Sequence, residues 1–132
     1  MHKASEGRKE KHTLRALVKS FKYAITGVFT ALRICRNLKI HYLMSVIAIA
    51  AGFYFEITKL EFAVILLTIT QVICLEMVNT ALEHVVDLLT EKRHILAMIA
   101  KDVAAGAVLI SAIVAFVVGA LVFGPYLVKY FG

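Results

Sequence analysis

Residues 76–87 read E-M-V-N-T-A-L-E-H-V-V-D, inside a segment from Phe62 to Leu89 that is otherwise mostly apolar. At about 100° per residue, Glu76, Asn79, Glu83 and Asp87 fall at roughly 0°, −60°, −20° and +20°, so all four share one helix face. Carboxylates within a membrane helix are expensive to hold and mark a functional site by default. The stretch therefore carries two expectations, a membrane-embedded α-helix and a polar site on one side of it.

The rest of the chain supports the first expectation. It has 132 residues, of which 61% are hydrophobic, with a single proline. A soluble domain of that size could not bury so much apolar surface. The expected fold class is all-α integral membrane, with three transmembrane helices preceded by an amphipathic interfacial helix. No residue from Ile40 to Phe55 carries a fixed charge, and none from Val103 to Val128. Spans of about 20 apolar residues cross the hydrocarbon, so membrane helices are expected over 38–56, 60–89 and 103–128. Leu14, Leu17, Val18, Phe21, Ile25, Val28, Phe29 and Leu32 recur at helical spacing with basic residues between them. That pattern predicts a surface helix over 14–37, after a flexible basic tail over 1–13. The whole chain, 1–132, is read as one membrane domain.

Charge sets the orientation. Ten Lys and Arg residues lie within 1–39, and Lys92, Arg93 and Lys101 lie in or beside the second connection. The first connection holds only Lys59, and the end of the chain only Lys129. The positive-inside rule puts the N-terminus and the 90–102 region in the cytoplasm. Anionic lipid headgroups account for the basic segment, so no nucleic-acid partner is expected. Cys35 and Cys74 form neither a metal-binding spacing nor a disulfide framework.

The polar face suits phosphoryl transfer, which needs positioning and charge neutralisation more than covalent chemistry. Glu83 with a second acidic group suits Mg²⁺, which takes few carboxylates plus substrate phosphates. Glu76, deeper in the span, is placed to accept a proton from an alcohol. Asn79 can orient a phosphate or a carboxylate, and Lys101-Asp102 adds a cation and another carboxylate. No glycine-rich phosphate loop is present, so Lys92, Arg93, His94 and Lys101 are the available nucleotide donors. Intramembrane carboxylates also serve proton relays and ion pathways, which leaves a small ion- or proton-translocating subunit as the alternative.

The string at 76–87, followed by A-K-D-V-A-A-G-A-V-L at 100–109, resembles the prokaryotic diacylglycerol kinase family. R-N-L-K-I-H at 36–41 is similar to its Gram-positive branch, the undecaprenol kinases. The resemblance covers about residues 14–125. It implies a homotrimeric kinase of the bacterial cell membrane, its active site cytoplasmic, transferring the γ-phosphoryl group of MgATP to a lipid alcohol, undecaprenol or diacylglycerol. It further implies that Glu76 is the general base at the lipid substrate and that Glu83 holds the nucleotide's metal ion. Asn79, Lys101 and Asp102 would orient phosphates and the base. Tyr23, Asp87, Lys92, Arg93 and His94 join Glu83, Lys101 and Asp102 as the nucleotide-binding set. The family has a glutamate immediately before the R-N pair, as a second metal ligand; this chain has Cys35 there. A neutral thiol is a poor Mg²⁺ ligand, so a catalytically weak or inactive paralogue is the second alternative.

Overall fold

The computed structural model describes residues 2–89 and 94–132. Those residues form four α-helices: α1 (His2–Ile34), α2 (Arg36–Tyr54), α3 (Lys59–Leu89) and α4 (Ile95–Phe131). The fold is an all-helical integral membrane one. α1 stands as one unit, and Cys35–Gly132 form a second, where the sequence suggested a single domain.

α1 begins at His2, so a helix stands where the sequence suggested a flexible tail over 1–13. Its apolar residues from Leu14 to Phe29 are largely exposed. Its hydroxyls are satisfied locally, Ser20 donating to the Ala16 carbonyl at 3.0 Å and Thr26 to that of Lys22 at 2.8 Å.

In the second unit α3 packs against both α2 and α4. α3 and α4 are long and apolar enough to cross a membrane. α2 has 19 residues, about 28 Å at 1.5 Å per residue, close to the length a third span would need. Lipid-facing hydroxyls cost little because each turns back on its own helix. Ser45 donates to the His41 carbonyl at 2.7 Å, and Thr68 and Thr70 to those of Val64 and Leu66 at 2.8 Å.

The boundaries differ from the sequence expectation for identifiable reasons. The surface helix ends at Ile34 rather than 37, because Cys35 takes an extended conformation (φ −91°, ψ 116°) and caps α2. Its Sγ accepts from the Leu38 N–H at 3.4 Å, where a Ser or Asp oxygen more often serves. α2 ends at Tyr54 in a Schellman turn. The Ile57 N–H bonds the Gly52 carbonyl at 3.2 Å and the Glu56 N–H that of Phe53 at 3.3 Å, with Glu56 at φ 51°. Gly52 suits this close approach, since a Cβ would lie 3.0 Å from the Phe62 ring. α3 opens with the capping box T-K-L-E. The Glu61 carboxylate receives the Thr58 N–H at 2.8 Å and hydroxyl at 2.7 Å. α4 begins two turns earlier than 103, since Lys101 and Asp102 sit within the helix without breaking it.

Candidate active site

The polar site is built on the buried stripe of α3. Ile65, Val72, Glu76, Asn79 and Thr80 are its buried residues. Their spacing of three, four and seven is that of one helix face. The half of this stripe nearer Lys59 is apolar and the half nearer Leu89 polar. Glu76 lies 17 residues from Lys59, about 26 Å along the axis, and only 1% of its surface is exposed.

A carboxylate so enclosed requires a donor. Cys35 provides it, with Sγ donating to Glu76 Oε1 at 3.2 Å. One turn on, Asn79 is 6% exposed and donates through Nδ2 to Glu83 Oε1 at 3.0 Å. Its Oδ1 is buried and has no partner among the described residues. Thr80 is also buried; its hydroxyl donates to the Glu76 carbonyl at 2.9 Å, and His84 Nδ1 lies 2.8 Å from the Thr80 carbonyl. Glu83 is half-buried and Asp87 exposed, so the face opens progressively toward the end of α3.

At that open end Lys101 of α4 pairs with Asp87 at 2.5 Å, their side chains 35% and 66% exposed. An ion pair this accessible contributes little to stability and leaves the ammonium available to a phosphate. Asp102 is exposed beside it. His94 caps α4, its Nδ1 accepting from the Leu96 N–H at 3.3 Å. Tyr23 lies on α1 with the Lys19 ammonium 5.8 Å from its ring centre. Lys92 and Arg93 lie outside the described residues.

The structure thus gathers Cys35, Glu76, Asn79, Glu83, Asp87 and Lys101 along the second unit. Sequence reasoning missed the Cys35–Glu76 bond and the burial of Thr80. The first joins residues 41 apart in sequence and leaves no local signal. Thr80 adjoins Asn79 on the same face and could have been read from it.

Mg²⁺ is satisfied by one or two carboxylates, with phosphates and water completing its octahedron. No group of three His, Cys, Asp or Glu side chains is assembled for a metal among the described residues, so an all-protein cage is not built here. Glu83 engages Asn79 through Oε1 alone, which keeps its second oxygen for a metal carried in by a nucleotide. Cys35 Sγ is committed to Glu76 and to the start of α2. The donor set fits a nucleotide-borne Mg²⁺ held by one protein carboxylate.

Comparison with known proteins identifies relatives of the chain. The family profile described as Prokaryotic diacylglycerol kinase matches residues 22–123. The undecaprenol kinase of Bacillus subtilis (strain 168) is 38% identical over 122 residues, 92% of this chain and 99% of that protein. A diacylglycerol kinase of Synechocystis sp. is 45% identical over 114 residues, covering 86% of this chain and 65% of that protein. A diacylglycerol kinase of Haemophilus influenzae is 32% identical over 111 residues, covering 83% of this chain and 94% of that protein.

Proposed function

The chain belongs to the prokaryotic diacylglycerol kinase family, and from that premise we propose that this lipid kinase transfers the γ-phosphoryl group of ATP to a membrane lipid alcohol. Undecaprenol is the preferred acceptor, since the similarity to an undecaprenol kinase covers 92% of this chain and 99% of that protein; diacylglycerol is the alternative. Membership displaces the ion-translocating reading.

The observation that carries the mechanism is a carboxylate 1% exposed within a membrane helix, supported by a single thiol hydrogen bond. Glu76 takes the proton of the alcohol as its oxygen attacks the γ-phosphorus. The bond to the β–γ bridging oxygen breaks, and ADP leaves with that electron pair. Glu83 lies seven residues from Glu76, about 10 Å along the axis, a separation that a phosphoryl group and its counter-ion can fill. Bound Mg²⁺ would neutralise phosphate charge there, held by Glu83. Asn79, between the two carboxylates, orients the transferred group. Lys101, with Asp102 beside it, meets the nucleotide phosphates, and Asp87, His94, Lys92 and Arg93 complete the nucleotide contacts; a nucleotide-binding role for Tyr23 rests on the family resemblance alone. A homotrimer is part of the proposal, as is a cytoplasmic site.

The test is a phosphorylation assay in mixed micelles with labelled ATP, Mg²⁺ and both lipids offered. Transfer to undecaprenol in preference to diacylglycerol is expected; transfer to neither by folded protein overturns the reading. Sidedness has its own measurement. In a background lacking Cys35 and Cys74, a cysteine replacing Thr58 should react with an impermeant thiol reagent added outside intact cells, and one replacing Leu89 should not. The reverse pattern would put the site away from cytoplasmic ATP.

A further inference from the structure

Cys35 occupies the position where the family resemblance calls for a metal-binding carboxylate, yet its contacts point elsewhere. Its Sγ accepts from the Leu38 N–H at 3.4 Å and donates to Glu76 Oε1 at 3.2 Å, the two roles open to a neutral thiol. The acceptor role fixes the sulfur at the first turn of α2, where Leu38 is itself 1% exposed. The donor role then holds Oε1 of a buried carboxylate, while no hydrogen bond to the other oxygen, Oε2, is formed among the described residues. A second observation marks this stretch of α3 as facing a group the described residues do not supply. Asn79, one turn from Glu76 and 6% exposed, keeps a buried Oδ1 without a partner among the described residues.

From this geometry, and resting on the kinase reading above, we infer that Cys35 is a positioning residue for the base: its thiol orients the Glu76 carboxylate so that Oε2 meets the alcohol, and it takes no part in holding the metal. Only Glu76 accepts a proton in the reaction; the S–H bond is neither made nor broken. A preorganised base gains because the geometry is set before substrate arrives. A thiol is a weak donor, so the gain stands at the lower end of what a hydrogen bond to a charged group provides.

Three variants separate this role from a metal-ligand role and from mere packing. Cys35→Ala removes the donor and should lower kcat about 10-fold, with the KM for ATP and the Mg²⁺ concentration for half-maximal rate unchanged. Cys35→Ser restores an O–H donor and should recover kcat to within about threefold of the parent. Cys35→Glu restores a carboxylate but sets it against Glu76, and should lower kcat with no reduction in the Mg²⁺ requirement. Parental kcat in Cys35→Ala, equal loss in the alanine and serine variants, or a lower Mg²⁺ requirement with raised activity in Cys35→Glu would each overturn the inference.

An infrared measurement reads the bond without activity. In a Cys74→Ala background the S–H stretch reports Cys35 alone. It should lie at the position of a hydrogen-bonded thiol and move toward that of a free thiol in Glu76→Gln, whose neutral amide oxygen accepts more weakly. An unmoved band removes the Cys35–Glu76 bond even if the parent is an active kinase. No lipid phosphorylation by the parent removes the kinase reading, and the positioning role with it, whatever the band does.

Discussion

α3 holds one glutamate in its first turn and another near its middle, and the two are kept in opposite ways. Glu61, in the first turn, accepts three hydrogen bonds on one oxygen, from the Thr58 N–H, the Thr58 hydroxyl and the Tyr126 hydroxyl, at 2.7 to 2.9 Å. Phe55 packs beside this clasp, its ring 6.1 Å from that of Tyr126 and 5.6 Å from that of Tyr130. Glu76, farther along the same helix, is almost wholly enclosed and receives one thiol hydrogen bond. A carboxylate surrounded by oxygen and nitrogen donors is held for architecture. One enclosed with a single weak donor retains acceptor capacity for something else. The difference separates a tie between helices from a carboxylate with the capacity the proposed base needs.

The largest expected effect comes from the under-satisfied glutamate. Glu76→Gln keeps shape and burial but removes the proposed proton acceptor. It should lower kcat for lipid phosphorylation by at least about 10², with nucleotide affinity and thermal stability near parental. Steady-state kinetics with nucleotide titration and a melting curve measure all three. Near-parental turnover would place the base elsewhere.

At the satisfied end the effects should reverse. Glu61→Ala removes the capping-box acceptor and the tie to Tyr126, so melting in detergent should fall by a few degrees. Turnover per folded molecule should stay within about twofold, because Glu61 lies 15 residues from Glu76, about 22 Å along the helix. A loss of turnover without loss of stability would show that the clasp also serves the chemistry.

Gly52 probes how closely α2 and α3 approach at that same end. A methyl group there meets two atoms of the Phe62 ring at 3.0 and 3.2 Å and Ile57 Cδ1 at 3.2 Å. Overpacking of this kind costs about 1 kcal/mol or somewhat more, so Gly52→Ala should melt earlier than the parent. Equal melting would mean that the Phe62 ring, which also stacks on Phe53 at 5.1 Å, turns aside without loss.

What the sequence disclosed follows from distance along the chain. Glu76, Asn79, Glu83 and Asp87 are related by helical periodicity alone, so their common face is legible in the spacing itself. The capping box is equally local, T-K-L-E at 58–61, but a helix start placed at 60 passes over it. The break between the first two helices is expected at 37/38 and lies at Cys35, because cysteine is an unusual cap and R-I-C-R-N contains neither glycine nor proline to mark the position. The ties from Tyr126 to Glu61, 65 residues apart, and from Cys35 to Glu76, 41 apart, depend on how helices pack, which periodicity does not encode. Resemblance marks Cys35 as a departure from the family; only the structure supplies its partner.

The smallest effect expected is at Glu56, where the outer turn departs from ideal chemistry. The residue sits at φ 51°, the left-handed conformation that closes a Schellman turn and that glycine adopts without a Cβ penalty. A left-handed non-glycine residue costs about 1 kcal/mol, while glycine at the same place makes the unfolded chain more flexible and returns part of that gain. Glu56→Gly should therefore stabilise the protein by a few tenths of a kcal/mol, visible as a small rise in melting temperature. Glu56 is exposed, and its N–H bond to the Phe53 carbonyl is a backbone contact that the substitution retains. Kinase activity should not change, since nothing in the Glu76–Glu83 stretch touches this turn. A fall in stability would show that the Glu56 side chain contributes more than the strain of its backbone removes.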